Sequence, residues 1–173
     1  MIGHAASGVE PGEIPAALLV RRLHATDRAA ILDHLLALNA DDRYGRFASA
    51  LSDHAIAAYV RSLALDRDAG FGIAGATGQL SGFIHLAIHG TTGEIGASVL
   101  PASRRCGQAR QLFAAAFRHA GRVDISHIHL ATGHPAAIRI GHSLACRVER
   151  RASAPRAIIF LAQELRVTTQ QSI

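Results

Sequence analysis

The sequence contains no lysine and no tryptophan, and only 5% of its 173 residues are aromatic. All 18 basic residues are therefore arginines, whose planar guanidinium groups suit bidentate contacts with phosphate or carboxylate. Compositional bias, which the alanine richness also indicates, is an alternative cause of the missing lysine. The formal net charge of +5 would suit nucleic acid. However, so few aromatic side chains leave little that could stack on nucleic-acid bases. These shortages argue against nucleic-acid binding and favour an acidic or phosphorylated ligand.

Cysteine is scarce as well, with only Cys106 and Cys146, which lie far apart and have no CxxC partner. Neither a disulfide framework nor a zinc site is predicted, and a reducing cytoplasm is the expected location. The first 20 residues lack both a basic start and a sustained apolar segment, which argues against a signal peptide and against a membrane span.

Histidine, by contrast, is frequent, with 11 residues. His85 and His89 would share one strand face, as would His127 and His129, because side chains alternate along a strand. No carboxylate or cysteine completes either pair at a recognisable spacing, so we predict no metal site. Surface positions on a sheet are the simpler explanation, and His127 or His129 would alternatively line an acceptor pocket.

The length and an apolar content of 49% suit a single folded domain. We place this domain at residues 17–165, between a flexible leader at 1–16 and a tail at 166–173. Hydrophobic periodicity and turn residues predict the order β α α β β β α β α β β. The polar stretch 40–50 between the first two helices is predicted to be irregular. This order favours a central mixed sheet that is flanked by helices.

One short segment, RRCGQA from Arg104 to Ala109, begins a predicted helix directly after a strand and a proline-containing turn. The first N–H groups of a helix have no intrahelical partner, and the helix dipole adds positive potential there, so the segment suits an anion. Gly107 and Ala109 would let a pyrophosphate approach the backbone, while Arg104, Arg105 and Arg110 would add charge. A Walker phosphate loop is excluded because the sequence has no Gly-Lys pair.

These residues resemble a known family. Arg104-x-x-Gly107-x-Ala109 matches the R/Q-x-x-G-x-G/A acetyl-CoA signature of the GNAT superfamily of N-acetyltransferases, and Glu94 to Val99 resembles that family's fourth strand. The element order from about Leu18 to Gln163 is also similar, so the resemblance covers most of the chain. It implies an α/β (α+β) fold with a mixed, mostly antiparallel sheet and about four helices. It further implies acetyl-CoA as co-substrate, an amine acceptor, no metal, and allows a homodimer.

The resemblance also implies roles for individual residues. Strands four and five would splay apart, with the pantetheine arm in the gap and the pyrophosphate on the helix start. Glu94 would be the base that removes the amine proton, and a backbone N–H near Val99 would stabilise the oxyanion. The implied cofactor-binding residues are Ser98, Val99, Leu100, Arg104, Arg105, Cys106, Gly107, Gln108, Ala109, Arg110 and His134.

The helix after the fifth strand departs from the family's pattern. Where the family often has Asn, a Tyr seven residues later and then Gly-Phe, this sequence has His134, Gly141 and Ala145-Cys146. The missing Tyr is the residue that protonates the departing CoA thiolate in the family. His142 is the candidate replacement, with solvent or no acid at all as the alternatives.

Two functions follow from these observations. The first is transfer of an acetyl group from acetyl-CoA to a primary amine of a small molecule or protein, by direct attack in a ternary complex. The alternative is a catalytically degenerate module that binds acyl-CoA as a sensor or regulator. The acceptor side would lie near residues 41–46, where Asp41 or Asp42 suits a cationic amine, Arg43 or Arg46 suits a carboxylated one, and a solvated loop is the third explanation.

Overall fold

Strands and helices are mixed along the chain in the computed structural model, which describes residues 19–75, 77–150 and 157–161. The predicted leader at 1–16 and tail at 166–173 lie outside the described residues. The strands are β1 (Val20–Leu23), β2 (Ala69–Ala74), β3 (Leu80–His89), β4 (Thr92–Val99), β5 (His127–Leu130), β6 (Arg147–Arg150) and β7 (Ala157–Phe160). The α-helices are α1 (Arg28–Leu36), α2 (Ala40–Phe47), α3 (Asp53–Ser62), α4 (Gln108–Arg122) and α5 (Pro135–Ser143).

The strands form a seven-stranded sheet in the order β1-β2-β3-β4-β5-β7-β6. Tight turns connect β2, β3 and β4 into an antiparallel meander, and Gly78 and Gly90 take left-handed backbone conformations in these turns. β4 and β5 are parallel because α4 crosses over between them. Their pairing runs only from Thr92 opposite His127 to Ile95 opposite Leu130, whereas β4 continues to Val99. The sheet therefore opens between the ends of these two strands.

Apolar cores lie on both faces of the sheet. On one face α4 packs its buried residues, among them Leu112 and Phe117, against β2 to β5 and β7. On the other face α1 and α3 pack Ile31, Leu35 and Ile56 against Leu23 and Phe83. The mixed, mostly antiparallel sheet between helical layers confirms the predicted α/β (α+β) fold.

Helix α2 is the main difference from the predicted elements, since residues 40–50 were expected to be irregular. The side chain of Asn39 caps α2 by accepting the N–H of Asp42 at 2.9 Å, and Asp41 and Asp42 suit the positive end of the helix dipole. α2 lacks an aliphatic stripe, because its one fully buried residue is Arg46. Hydrophobic periodicity therefore could not reveal this helix.

Candidate active site

A cavity of about 660 Å³ occupies the opening between β4 and β5. The N–H of Leu100 donates to the carbonyl of Ser81 at 2.8 Å, so every second residue of β4 hydrogen-bonds to β3. The main-chain groups of Ala97 and Val99 consequently point away from β3, towards the side on which β5 has ended. This edge of β4 thus presents backbone donors to the cavity.

The first turn of α4 meets the same cavity. Gly107 is the N-cap of α4 with a φ of 82°, and no side chain caps the helix there. The first N–H groups of α4, at residues 108–110, precede the main-chain bond from the N–H of Gln111 to the carbonyl of Gly107. No atom lies within 4 Å of a Cβ built at Gly107, so its backbone conformation, and not lack of space, favours glycine.

Most residues predicted to hold the cofactor line this cavity. Those on its wall are Ser98, Val99, Arg104, Arg105, Gly107, Gln108, Ala109, Arg110 and His134. Leu100 is not on the wall, and its N–H and C=O are engaged with Ser81 and Ser103. Cys106 is also absent from the wall, and its exposed thiol is directed to the carbonyl of Ser103 at 2.8 Å.

The guanidinium of Arg104 connects the helix-start loop to α2. Its Nε donates to the carbonyl of Val99 at 3.0 Å, and its Nη2 lies 2.6 Å from Oδ1 of Asp42. Arg104 therefore carries a charge that is already paired with a carboxylate. Of the other arginines at this end of the cavity, Arg110 has its Nη2 3.5 Å from the carbonyl of Ser143.

A second cavity, of about 250 Å³, lies next to the first and contains Glu94. The predicted base is exposed and sits in β4 between Ala87 of β3 and His129 of β5. The wall consists of Arg46, Phe47, Tyr59, His85, Ala87, His89, Glu94, Ile95, Gly96 and Ala131. Arg46, Ile95 and Gly96 also line the first cavity, so the two cavities meet at the middle of β4.

Two residues that line this second cavity, Tyr59 and His85, belong to a chain of hydrogen bonds that ends at Asp68. Burial, together with the charge of Arg46, lowers the pKa of His85 to about 4, so its imidazole is neutral near pH 7. Its Nε2 lies 3.2 Å from Oδ2 of Asp68, and its Nδ1 lies 3.0 Å from the hydroxyl of Tyr59. A neutral ring that donates to Asp68 must accept from Tyr59. The phenolic proton of Tyr59 is therefore directed to His85.

Ser98 is held by a second buried histidine, His34. Nδ1 of His34 donates to the carbonyl of Leu80 at 2.9 Å, so Nε2 accepts the hydroxyl proton of Ser98 at 2.8 Å. Burial lowers the pKa of His34 to about 4, which keeps this ring neutral. The pair holds the side chain of Ser98, which lines the first cavity, against α1.

The candidate acid, His142, is not brought to either cavity. It is exposed in the last turn of α5, whereas His134, Ala136, Ala137 and Ile140 of the same segment line the larger cavity. Gly141, which occupies the family's Tyr position, is buried against β6 and β7. A Cβ at Gly141 would lie 2.9 Å from Cγ2 of Val148, closer than real contacts allow.

The sequence did not predict the side-chain contacts between different elements that form part of the site. His85 was considered as half of a surface histidine pair with His89, but it is buried and bonded to Tyr59 and Asp68. Helical spacing placed Tyr59 on a buried face without showing its partner. No local signal links these residues, because they come from α3, from the turn before β2 and from β3.

No group of three or more His, Cys, Asp or Glu side chains that could hold a metal ion occurs among residues 19–75, 77–150 and 157–161. Over the same residues, none of the helices has the length and the apolar character needed to cross a membrane.

Comparison with known proteins supplies independent evidence on the class of protein. A sequence model of the acetyltransferase (GNAT) family matches residues 29–140. Solved structures with a similar fold include a GNAT phosphinothricin acetyltransferase (Pat) from Sinorhizobium meliloti in complex with AcCoA. This structure has a TM-score of 0.62 and 14% identity, and the match covers 82% of this chain and 85% of that one.

Two further similar structures come from other bacteria. The GNAT domain of S. lividans PAT has a TM-score of 0.64 and 14% identity, and the match covers 81% of this chain and 87% of that one. The ribosomal-protein-S18-alanine N-acetyltransferase from Escherichia coli has a TM-score of 0.57 and 15% identity, with 90% and 98% of the two chains covered. No curated protein matches the sequence.

The family match spans more than half of the chain and includes the opened strands and the start of α4. The chain therefore belongs to the acetyltransferase (GNAT) family, whose general chemistry is acetyl transfer. The similar structures, at these low identities, support the fold alone.

Proposed function

We propose that the protein transfers the acetyl group of acetyl-CoA to a primary amine by direct attack in a ternary complex. The observation that carries this proposal is that two sets of backbone donors face one cavity of about 660 Å³. One set is the N–H edge of β4 at Ala97 and Val99, which suits the thioester carbonyl and the amide-bearing pantetheine arm that follows it. The other is the uncapped start of α4, which suits the pyrophosphate.

The reaction would take place where the two cavities meet at the middle of β4. An amine in the smaller cavity would lose a proton to Glu94, directly or through a water molecule, and its nitrogen would form a bond to the thioester carbonyl carbon. The N–H of Ala97, near Val99 and closer to this point of β4, would stabilise the resulting oxyanion. Collapse of the tetrahedral intermediate would break the C–S bond and release CoA as a thiolate. Ordinary thiols have a pKa of about 8.5, so this leaving group can depart without a side-chain acid.

A sensor or regulator that binds acyl-CoA without turnover remains the second candidate. Its support is the position of Gly141, which is packed against Val148 and Ile159 where the family often has its acid. Binding and turnover therefore need separate measurements.

Titration calorimetry with acetyl-CoA tests binding, and release of free thiol with a panel of amines tests turnover. We expect binding by the wild-type protein and thiol release with at least one acceptor. Binding without thiol release from any amine would support the sensor, and absence of binding would exclude both functions.

The role of Glu94 is tested by Glu94→Gln. We expect kcat to fall about 100-fold or more, in the range of general base catalysis, while the affinity for acetyl-CoA stays unchanged. Glu149→Gln is the matched control, because Glu149 is an exposed carboxylate on β6 that lines neither cavity. An unchanged kcat in Glu94→Gln would remove Glu94 from the mechanism.

A further inference from the structure

Arg46 is a buried cation with most of its hydrogen-bonding capacity unused. Only 3% of the residue is exposed, and Nε and Nη1 have no hydrogen-bond partner among the described residues. Its Nη2 makes one long contact, 3.4 Å, with the hydroxyl of Tyr59. The guanidinium carbon otherwise lies over aromatic faces, 4.9 Å from the ring centre of Phe83 and 5.2 Å from that of Phe47. Cation–π contacts do not satisfy N–H donors.

No described carboxylate lies within ion-pair distance of this guanidinium. The other arginine of α2, Arg43, has by contrast a partner for each of its three guanidinium nitrogens. Arg43 donates to the carbonyls of Leu36, Leu38 and Leu51, and it also pairs with Asp53 at 2.7 Å. A buried charge without a partner is strongly unfavourable, which indicates that Arg46 is kept for an anion that binds there.

The location of Arg46 indicates which anion this is. Arg46 lines both cavities and packs on Gly96, where a built Cβ would lie 3.4 Å from Cζ and Nη1. The absence of a side chain at Gly96 thus brings the guanidinium next to β4, beside the proposed reaction centre. Glu94 lines the same smaller cavity. The wall of the smaller cavity, which has a volume of about 250 Å³, therefore contains both an anion, Glu94, and a cation, Arg46.

We propose that Arg46 binds the carboxylate of the acceptor, so that the acceptor is a small amine bearing a nearby carboxylate, such as an α-amino acid. This proposal rests on the proposed acetyl transfer. Guanidinium and carboxylate match in geometry and can form two parallel hydrogen bonds. The cavity is smaller than the roughly 300–1,000 Å³ of pockets for drug-sized ligands, which suits a molecule of amino-acid size. Glu94 would face the amine while Arg46 holds the carboxylate.

Matched acceptor pairs that differ only in the carboxylate test the proposal by kinetics. The pairs are glycine with methylamine, L-alanine with ethylamine, and L-leucine with 3-methylbutylamine. We expect the carboxylated member to have at least a tenfold higher kcat/KM in one or more pairs. Arg46→Met should abolish this preference by raising KM for the carboxylated member, and Arg46→Lys should retain part of it. Equal kcat/KM within every pair of the wild type would overturn the proposal.

Comparison of KM with kcat in Arg46→Met also distinguishes binding of the acceptor carboxylate by Arg46 from a role of Arg46 at the reacting carbonyl. If Arg46 instead stabilised the oxyanion, Arg46→Met would lower kcat equally for both members of a pair, and this result would overturn the proposal. Arg61→Met is the charge control, because Arg61 is exposed on α3 and lines neither cavity. It should leave the preference unchanged.

A binding measurement keeps this inference distinct from the proposed function. Calorimetric titration of the wild-type and Arg46→Lys proteins with the same three amino acids, in the presence of CoA, requires no turnover. Binding that weakens at least tenfold in Arg46→Lys would support the carboxylate site even if no amine is acetylated. Acetylation of the simple amines together with no binding of any of the three amino acids would overturn the inference and leave acetyl transfer intact. Thermal unfolding of each variant checks that it is folded.

Discussion

Gly107 is the residue whose backbone conformation most directly connects the sequence motif to the proposed binding of acetyl-CoA. Its φ of 82° sets the start of α4, and an L-residue there costs about 1–2 kcal/mol. We expect Gly107→Ala to weaken acetyl-CoA binding about tenfold, because the first turn would shift to relieve this strain. Titration calorimetry measures the effect.

Gly78 provides the matched control for this substitution. It has a φ of 80° and open space around a built Cβ, but it lies in the turn between β2 and β3 and lines neither cavity. Gly78→Ala should lower the free energy of unfolding by a comparable amount and leave acetyl-CoA affinity unchanged. Equal affinities of the two variants for acetyl-CoA would show that α4 does not hold the cofactor through this turn.

At the residue scale, the sequence predicted what a local motif can encode. Gly107 could be selected because glycine, a helix start and basic residues occur together in six positions. The reason first given, close backbone approach, is supplemented in the structure by the left-handed conformation. The isolation of Arg46 could not be predicted, because it depends on rings contributed by α2, α3 and β3.

The packing of helix α5 against β6 and β7 limits which side chain can occupy position 141. Gly141→Ala would gain about 1 kcal/mol in helix propensity but lose about 1–3 kcal/mol by overpacking against Val148 and Ile159. We therefore expect a net loss of about 1 kcal/mol in the free energy of unfolding, measured by urea titration. Gly141→Tyr, which would introduce the family's acid, should be more destabilising.

Val148 supplies the test of this explanation, since it makes the closest contact to a Cβ at position 141. In the double variant Gly141→Ala with Val148→Ala, the alanine at 141 should cost less than it does in the wild-type background. Additive losses from the two substitutions would mean that the close approach of α5 to β6 does not explain the glycine.

At the element scale, prediction succeeded where buried faces are apolar. α3 presents Ile56 and Val60 at helical spacing, and α4 presents Phe113 and Phe117 in the same way. α2, which Asn39 caps in the structure, has no such stripe and was missed. The same property that concealed this helix, a buried arginine in place of an aliphatic residue, makes it part of the candidate site.

At the scale of the whole molecule, the site depends on an arrangement that element order alone does not define. Parallel pairing of β4 with β5 ends at Ile95 and Leu130, and both cavities extend from this point. Helical layers on opposite faces then contribute different parts. α4 and α5 line the larger cavity together with α2, whereas α2 and α3 contribute Arg46 and Tyr59 to the smaller one.

The stability of the domain should depend on pH through the buried, neutral histidines His34 and His85. Burial lowers the pKa values of both His34 and His85 to about 4, against about 6.5 in an unfolded chain. Between pH 6.5 and pH 4 the unfolded chain thus binds more protons than the folded one, so the free energy of unfolding falls as the pH falls. The loss is about 1.4 kcal/mol per unit of pKa difference for each histidine.

Urea unfolding of the wild type at pH 7.5, 6.5, 5.5 and 4.5 measures this dependence. His34→Gln should be less stable at pH 7.5, because its hydrogen bonds to Leu80 and Ser98 are disturbed, but its stability should decline less steeply below pH 6.5. His54→Gln, at an exposed position on α3, should keep the wild-type slope. All three proteins contain the same carboxylates, so the contribution of the carboxylates to the slope cancels when the slopes are compared. Equal slopes for the wild type and His34→Gln would mean that folding does not lower the pKa of His34, and burial of this ring would then not contribute to the pH dependence.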